Sequence, residues 1–362
     1  YKLAVQSGTV TQDSTGTTIV LPTYVNVNPV PGTQLDYTVE CADQLYGGDG
    51  DMDFVATNFG FNTKYHASSG HPAVLYYGTF GTDKMRLVEA EFEGEELLPV
   101  RGKSCSTNAI PHLAKKFTTF HDFALADMAK IYSKPVIDNS TKFEATTLAT
   151  GVFLNDGKGR FEFKPLPRLA QIAPGYSPVV CDFDGDGLTD IYLSQNFFSP
   201  QPETGRMSGG LGLFLKGTGG GEFQPLGPRE SGVSMPDDAK GACLADLDGD
   251  SWPDLLIASN NGPLRSFKNQ GSGQRIRISL IGPPGNPEAI GARVTAIFQN
   301  SSEKVSEIRA GEGYLSQSSS AVFLTRFLAE NPSRIKVRWP DGSEATREIE
   351  QQTQVIKIRF LD

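Results

Sequence analysis

Hydrophobic residues in this chain fall in short runs, and two patterns of them divide it. From Arg275 onward, charged and apolar residues alternate in RIRISLIG (275–282), ARVTAIFQ (292–299), SEIRAG (306–311), RIKVRW (334–339) and TQVIKIRF (353–360). Period-two alternation is the pattern of a half-exposed sheet. The turns Pro283-Pro284-Gly285 and Pro340-Asp341-Gly342 punctuate it. A separate small β-domain over 275–362 is expected. Upstream, the apolar runs are more continuous, and three of them follow an acidic stretch: FVATNFG (54–60), IYLSQN (191–196) and LLIASN (255–260).

Those acidic stretches head a repeat. DFDGDGLTD (182–190) and DLDGDSWPD (246–254) lie 64 residues apart, and GDGDMD (48–53) lies about two such intervals upstream of the first. Apolar strands with Gly-rich turns serve as tails: VLYYGTFGTDKMRLVEA (74–90), VFLNDGKGRFEF (152–163), LFLKGTGGGEFQPL (213–226) and PLRSFKN (263–269). The double interval predicts a degenerate head, placed at TTFHDFALADMAKIY (118–132). A small sheet repeated at this period cannot bury both faces alone, so neighbours must stack. Stacking around an axis gives a β-propeller. The expected organisation is all-β: an N-terminal strand segment over 1–40, belonging in part to a blade, a propeller region over 41–274, then the 275–362 domain.

The loop chemistry is specific. Asp182, Asp184, Asp186 and Asp190 occupy positions one, three, five and nine of D-x-D-x-D-G-x-x-D, with Gly187 at six for the sharp turn. The carbonyl of Leu188, at position seven, can add an oxygen. An all-oxygen donor set without His or Cys suits Ca2+ better than zinc. Asp246, Asp248, Asp250 and Asp254 repeat the pattern, with Ser251 in place of the glycine and Trp252 at the carbonyl position. In the third copy Asp49, Gly50 and Asp53 match positions five, six and nine, while positions one and three fall on Leu45 and Gly47. Position twelve is Leu193 or Ile257, not the bidentate Glu of an EF-hand. Asp and Gly also make solvated turns. Two copies with four aspartates each, both running into a strand, favour metal.

Charge and composition narrow the function. The net charge is −9, yet 275–362 carries 12 Lys and Arg against 10 Asp and Glu, so the acidic excess lies upstream. That balance argues against nucleic acid. No apolar run approaches a membrane span. Cys41, Cys105, Cys181 and Cys243 are widely spaced without C-x-x-C, and Cys181 and Cys243 stand in apolar runs as small buried side chains. Cys105, His112 and His121 can be drawn as a nucleophile or metal group, but surface or core positions account for them as well. The stretch Pro99–Lys142, with Arg101, Lys103, His112, Lys115, Lys116, Phe117, Phe120 and His121, offers either a ligand-binding rim or packing over a blade.

The acidic heads resemble FG-GAP/VCBS repeats, which form propeller blades. GARVTAIF (291–298), IRAGEGYLSQSS (308–319) and VRWPDG (337–342) resemble the ASPIC/UnbV domain, although VFLTRF (322–327) stands where F-G-L-G is common. The resemblance implies calcium-stabilised blades and no known reaction. Calcium loops without a catalytic set make the expected function a non-catalytic binding or adhesion scaffold for a protein or carbohydrate, secreted or in the cell envelope. The alternative is a carbohydrate-active hydrolase or lyase.

Overall fold

Alternation along the repeat strands decides how the sheets stack. The computed structural model describes residues 39–43, 52–158, 160–201, 204–325, 332–350 and 353–360. Strands β1 (Val39–Asp43) and β2 (Met52–Ala56) pair antiparallel and open the first blade. The chain then leaves that sheet. It builds β3 (Ala73–Gly78), β4 (Arg86–Glu93), β5 (Glu96–Pro99), five short helices and β6 (Thr141–Ala145), which form a sheet of order β5-β4-β3-β6. The first blade resumes with β7 (Gly151–Asn155) and β8 (Phe161–Pro165), giving order β1-β2-β7-β8.

The second blade follows as β9 (Gly175–Cys181), β10 (Asp190–Gln195), β11 (Leu213–Gly219) and β12 (Glu222–Leu226), all antiparallel. The third has β13 (Ala239–Ala245), β14 (Asp254–Ser259) and β15 (Arg265–Phe267). Every residue of β10 is buried. Ile191 and Leu193 pack with Val55 and Val152 of the first blade, while Tyr192, on the other face, packs with Leu255 and Ile257 of the third. One strand thereby seals two blade interfaces, which is why its apolar run is continuous. The first strands run side by side in chain order, β1 beside β9 and β9 beside β13. Three such stacked sheets, referred to as blades, are present among the described residues; a closed ring is not.

Strands β16 (Arg275–Ile281), β17 (Arg293–Phe298), β18 (Glu303–Glu307), β19 (Ala321–Thr325), β20 (Pro332–Arg338), β21 (Glu344–Glu348) and β22 (Val355–Arg359) build the C-terminal domain. Two sheets, β19-β16-β22 and β18-β17-β20-β21, share one core that includes Ile276, Ile278, Val294, Ile335, Val337, Trp339 and Ile358. Since Ile276 and Ile278 point into that core, Arg275 and Arg277 point out of it.

The stretch expected to be a degenerate blade head is helical instead. Residues Phe120–Ala124 and Met128–Tyr132 form two short helices whose N-caps, Thr119 and Asp127, accept from the N–H groups of Asp122 at 3.0 Å and Lys130 at 2.6 Å. Capping side chains followed by apolar residues at helical spacing override the strand reading. The 74–90 segment does form a hairpin, but in the sheet of this separate compact unit, Thr63–Leu148, and not in a blade. The unit has its own core, including Val74, Phe80, Ile110, Phe123 and Ile131. The double repeat interval therefore reflects an insertion into the first blade. The strand segment expected within 1–38 lies outside the described residues.

At the mouth of the insertion the Asn58 N–H donates to Thr150 Oγ1 at 3.0 Å, so the chain leaves and re-enters the blade at neighbouring points. Replacing 63–148 with a short Gly/Ser linker is expected to leave the remaining chain folded, with a single cooperative melt by circular dichroism. Loss of cooperative unfolding would contradict an independent insertion.

Candidate metal centre

Each acidic loop connects the first and second strands of its blade, so position nine is the first residue of the central strand. Asp190 and Asp254 hold that place and are 3% and 1% exposed. Asp190 accepts from the Gly217 N–H of the third strand at 2.9 Å and from the Phe183 N–H of the loop at 2.9 Å. Asp254 accepts from the Asn269 N–H at 2.8 Å and the Leu247 N–H at 2.8 Å. Each carboxylate thus pins the loop to the sheet through two otherwise orphaned donors.

The remaining aspartates fold the loop over on itself, bond for bond alike in the two copies. Asp182 accepts from Gly185 and Gly187 at 2.7 and 3.1 Å, and Asp246 from Gly249 and Ser251 at 2.8 and 3.2 Å. Asp184 and Asp186 accept from the N–H two residues on, as do Asp248 and Asp250. Gly187 has φ +88°; Ser251 takes the same left-handed conformation at +69°, a strain of roughly 1–2 kcal/mol for a residue with a Cβ.

One oxygen from each of Asp182, Asp184 and Asp190 lies within 4.8 Å of the others, and Asp246, Asp248 and Asp254 converge in the same way. Among the described residues these are the two groups of three or more His, Cys, Asp or Glu side chains able to hold an ion. All donors are hard oxygens that keep lone pairs beyond those given to N–H groups, so the set suits a divalent cation of the calcium type. Asp186 and Asp250 stand beside these trios.

The loops also carry cations that the sequence reading did not assign. Lys216 bridges Asp184 and Asp186, with Nζ 2.7 Å from Asp186 Oδ2. Lys268 contacts Asp248 and lies 3.8 Å from Asp250 Oδ2. Lys268 holds the Asp248 carboxyl below its ordinary range, and Lys216 is itself held above the ordinary lysine range by Asp184 and Asp186. The C-terminal domain reaches both first positions. Arg277 Nη1 is 2.8 Å from Asp246 Oδ2, and buried Arg275 donates to the Asp182 carbonyl at 2.7 Å, with Asp182 Oδ1 at 3.5 Å. The Thr325 hydroxyl donates to Asp182. The only advance signal for the arginines was their shared parity in β16.

Trp252, expected to contribute a backbone carbonyl, has a second role in its ring. The Arg275 guanidinium stacks 4.1 Å from the indole centroid, and a Cβ on Gly185 of the preceding loop would lie 3.0 Å from the indole. Gly271 approaches more closely: a Cβ there would lie 2.2 Å from Cζ3. Leu188 is exposed. In the first blade, buried Asp53 accepts from the Asn155 N–H at 2.8 Å, the ninth-position bond again, whereas Asp49 lies outside the described residues.

The proposed rim of the 99–142 stretch divides. Phe117 is buried against Phe123, Arg101 pairs with Glu89 at 2.9 Å, and Lys116 donates to the Ile131 carbonyl, while Phe120, His112, Lys115 and His121 are exposed. Cys105, His112 and His121 do not form a ligand group. Cys181 and Cys243 carry free thiols and are half-buried, not fully buried as expected, and burial pushes Cys181 up to about 12, which keeps it protonated.

Comparison with known proteins accords with this geometry. Residues 282–360 match the ASPIC and UnbV family model, and residues 145–193, which include the first acidic loop, match an FG-GAP-like repeat. Cartilage acidic protein 1 of Mus musculus is 24% identical over 210 residues, as is that of Homo sapiens. Those alignments take in 56% of this chain but span only about a third of each relative, 32% and 31%. The major pilin subunit BcpA of Bacillus cereus aligns with 90% of this chain and 99% of its own at 8% identity, but with a TM-score of 0.14 it carries no argument.

Two outcomes follow from the loop geometry. Burial, reinforced by Asp184 and Asp182 and partly offset by the two N–H donors, pushes the Asp190 carboxyl up to about 7. A folded-state value above the unfolded one means that the proton stabilises the metal-free fold at low pH, and that this contribution is lost as pH rises through 7. A metal must expel that proton, so calorimetric Ca2+ affinity at the first loop is expected to be about tenfold weaker at pH 6 than at pH 8. Equal affinities would contradict it. Gly271→Ala should displace the Trp252 ring and cost about 1–3 kcal/mol in chemical denaturation; unchanged stability would show that the ring has room.

Proposed function

We propose that the protein is a calcium-stabilised propeller-type scaffold, non-catalytic, that presents a binding surface for a protein or carbohydrate partner outside the cell or in its envelope. One observation carries the metal assignment: the charge left over in each loop. Four aspartates in the first loop meet Lys216 and Arg275, and four in the second meet Lys268 and Arg277. Two negative charges remain in each case. Crowded carboxylates raise one another's energy, and a single divalent cation removes the remainder. The upward displacement of Asp190 comes first from burial, with Asp184 and Asp182 adding to it.

The scaffold reading draws support from the FG-GAP-like and ASPIC/UnbV matches and from the position of the loops between strands of stacked blades. A calcium affinity of roughly 10⁻⁴–10⁻³ M, the range of extracellular modules, suits that setting. Within this reading Asp182, Asp184 and Asp190, with Asp246, Asp248 and Asp254, hold the ions. Asp186, Asp250 and the carbonyls of Leu188 and Trp252 complete the shells.

Millimolar Ca2+ is expected to raise the melting temperature by several degrees, with a smaller effect from Mg2+, because the cation binds the folded loops and not the unfolded chain. Chelator should reverse the gain, and the double variant Asp182→Asn, Asp246→Asn should lose it. An unchanged melting temperature in calcium would end the metal assignment.

A further inference from the structure

Lys216 and Lys268 hold the same station in the two acidic blades. Each directly precedes the residue whose N–H clamps the ninth-position aspartate, Gly217 in one blade and Asn269 in the other. Each places its ammonium against the third- and fifth-position carboxylates. The first blade provides an internal comparison. There Asn155 clamps Asp53, and the residue before it is Leu154. That loop has Leu45 and Gly47 at positions one and three. Lysine thus occupies this station where positions one, three and five are all aspartate, and leucine where positions one and three are not.

We propose that Lys216 and Lys268 are resident counter-ions, which neutralise the third- and fifth-position carboxylates in the metal-free protein and give them up to the divalent cation, thereby setting its threshold concentration. The proposal rests on the metal assignment above. A lysine ammonium is a point charge on a flexible four-carbon stem, and both side chains are partly exposed, at 31% and 54%. They can therefore withdraw into water without breaking the blade. In place, the ammonium relieves repulsion among the carboxylates; it also competes for the oxygens that the cation needs. Removing it must destabilise the metal-free loop and tighten metal binding. A lysine that only supports the fold would not move the two quantities in opposite directions.

The experiment is calorimetric titration of the full chain with CaCl2, beside melting in chelator, for wild type, Lys216→Met, Lys268→Met and the charge-retaining Lys216→Arg and Lys268→Arg. The Met variants are expected to melt lower without metal and to bind Ca2+ about tenfold more tightly at the altered loop, the scale of one adjacent charge. The Arg variants should stay near wild type. Calcium binding that is unchanged or weakened in the Met variants overturns the counter-ion role while leaving the metal assignment standing. No calcium heat in wild type or any variant, up to millimolar concentration, overturns both.

Discussion

Carboxylates crowded into one short loop repel, and much of the architecture here contains that repulsion. The ninth-position aspartate is the anchor. It is buried, so its charge is costly, and it is held by one N–H from the loop and one from the third strand. Equivalent bonds hold Asp254 in the second acidic blade, from Leu247 in the loop and from Asn269 just past the third strand, and Asp53 accepts from Asn155 at the end of the third strand of the first blade. The outer aspartates are then balanced by a lysine of the same blade and an arginine of the next domain. On the proposed reading, a divalent cation would complete the balance.

The C-terminal domain shares in this arrangement because of strand parity. Alternation sends Ile276 and Ile278 into the domain core and Arg275 and Arg277 outward, where each reaches the first aspartate of a different loop. The spacing of two residues along one strand thus spans two blades. Arg275 also lies against Trp252, whose ring meets Gly185 of the neighbouring loop, so that loops, blades and the C-terminal domain meet in one polar and aromatic joint. Losing the ions would therefore be felt at the domain junction as well as inside each loop.

Much of this was legible in the sequence because loop chemistry is local. Aspartate spacing and the following strand identified both acidic loops, with Gly187 marking the first, and strict alternation marked the strands of 275–360. The misreadings were of longer range. A hairpin looks the same in a blade and in an inserted unit, so the pattern of 74–90 does not tell the two apart, and the regular interval points to a degenerate blade where Thr119 and Asp127 in fact cap helices. The counter-ions lay in plain view but carried no local pattern. Lys216 and Lys268 follow different residues, and their meaning depends on strand pairing that places the third strand beside the loop. Asn155 and Asn269, within VFLNDG and SFKNQG, were the more readable signal, since a recurring Asn-x-Gly after an aromatic marks the turn that feeds the ninth-position clamp.

The most direct test is anomalous diffraction from crystals grown with calcium. The account predicts one strong peak in each of the loops 182–190 and 246–254, with Asp182, Asp184 and Asp190, and Asp246, Asp248 and Asp254, as ligands, and with Lys216 and Lys268 withdrawn from the carboxylates. Loops that hold no anomalous scatterer at saturating calcium, with both lysines still against their aspartates, would contradict it.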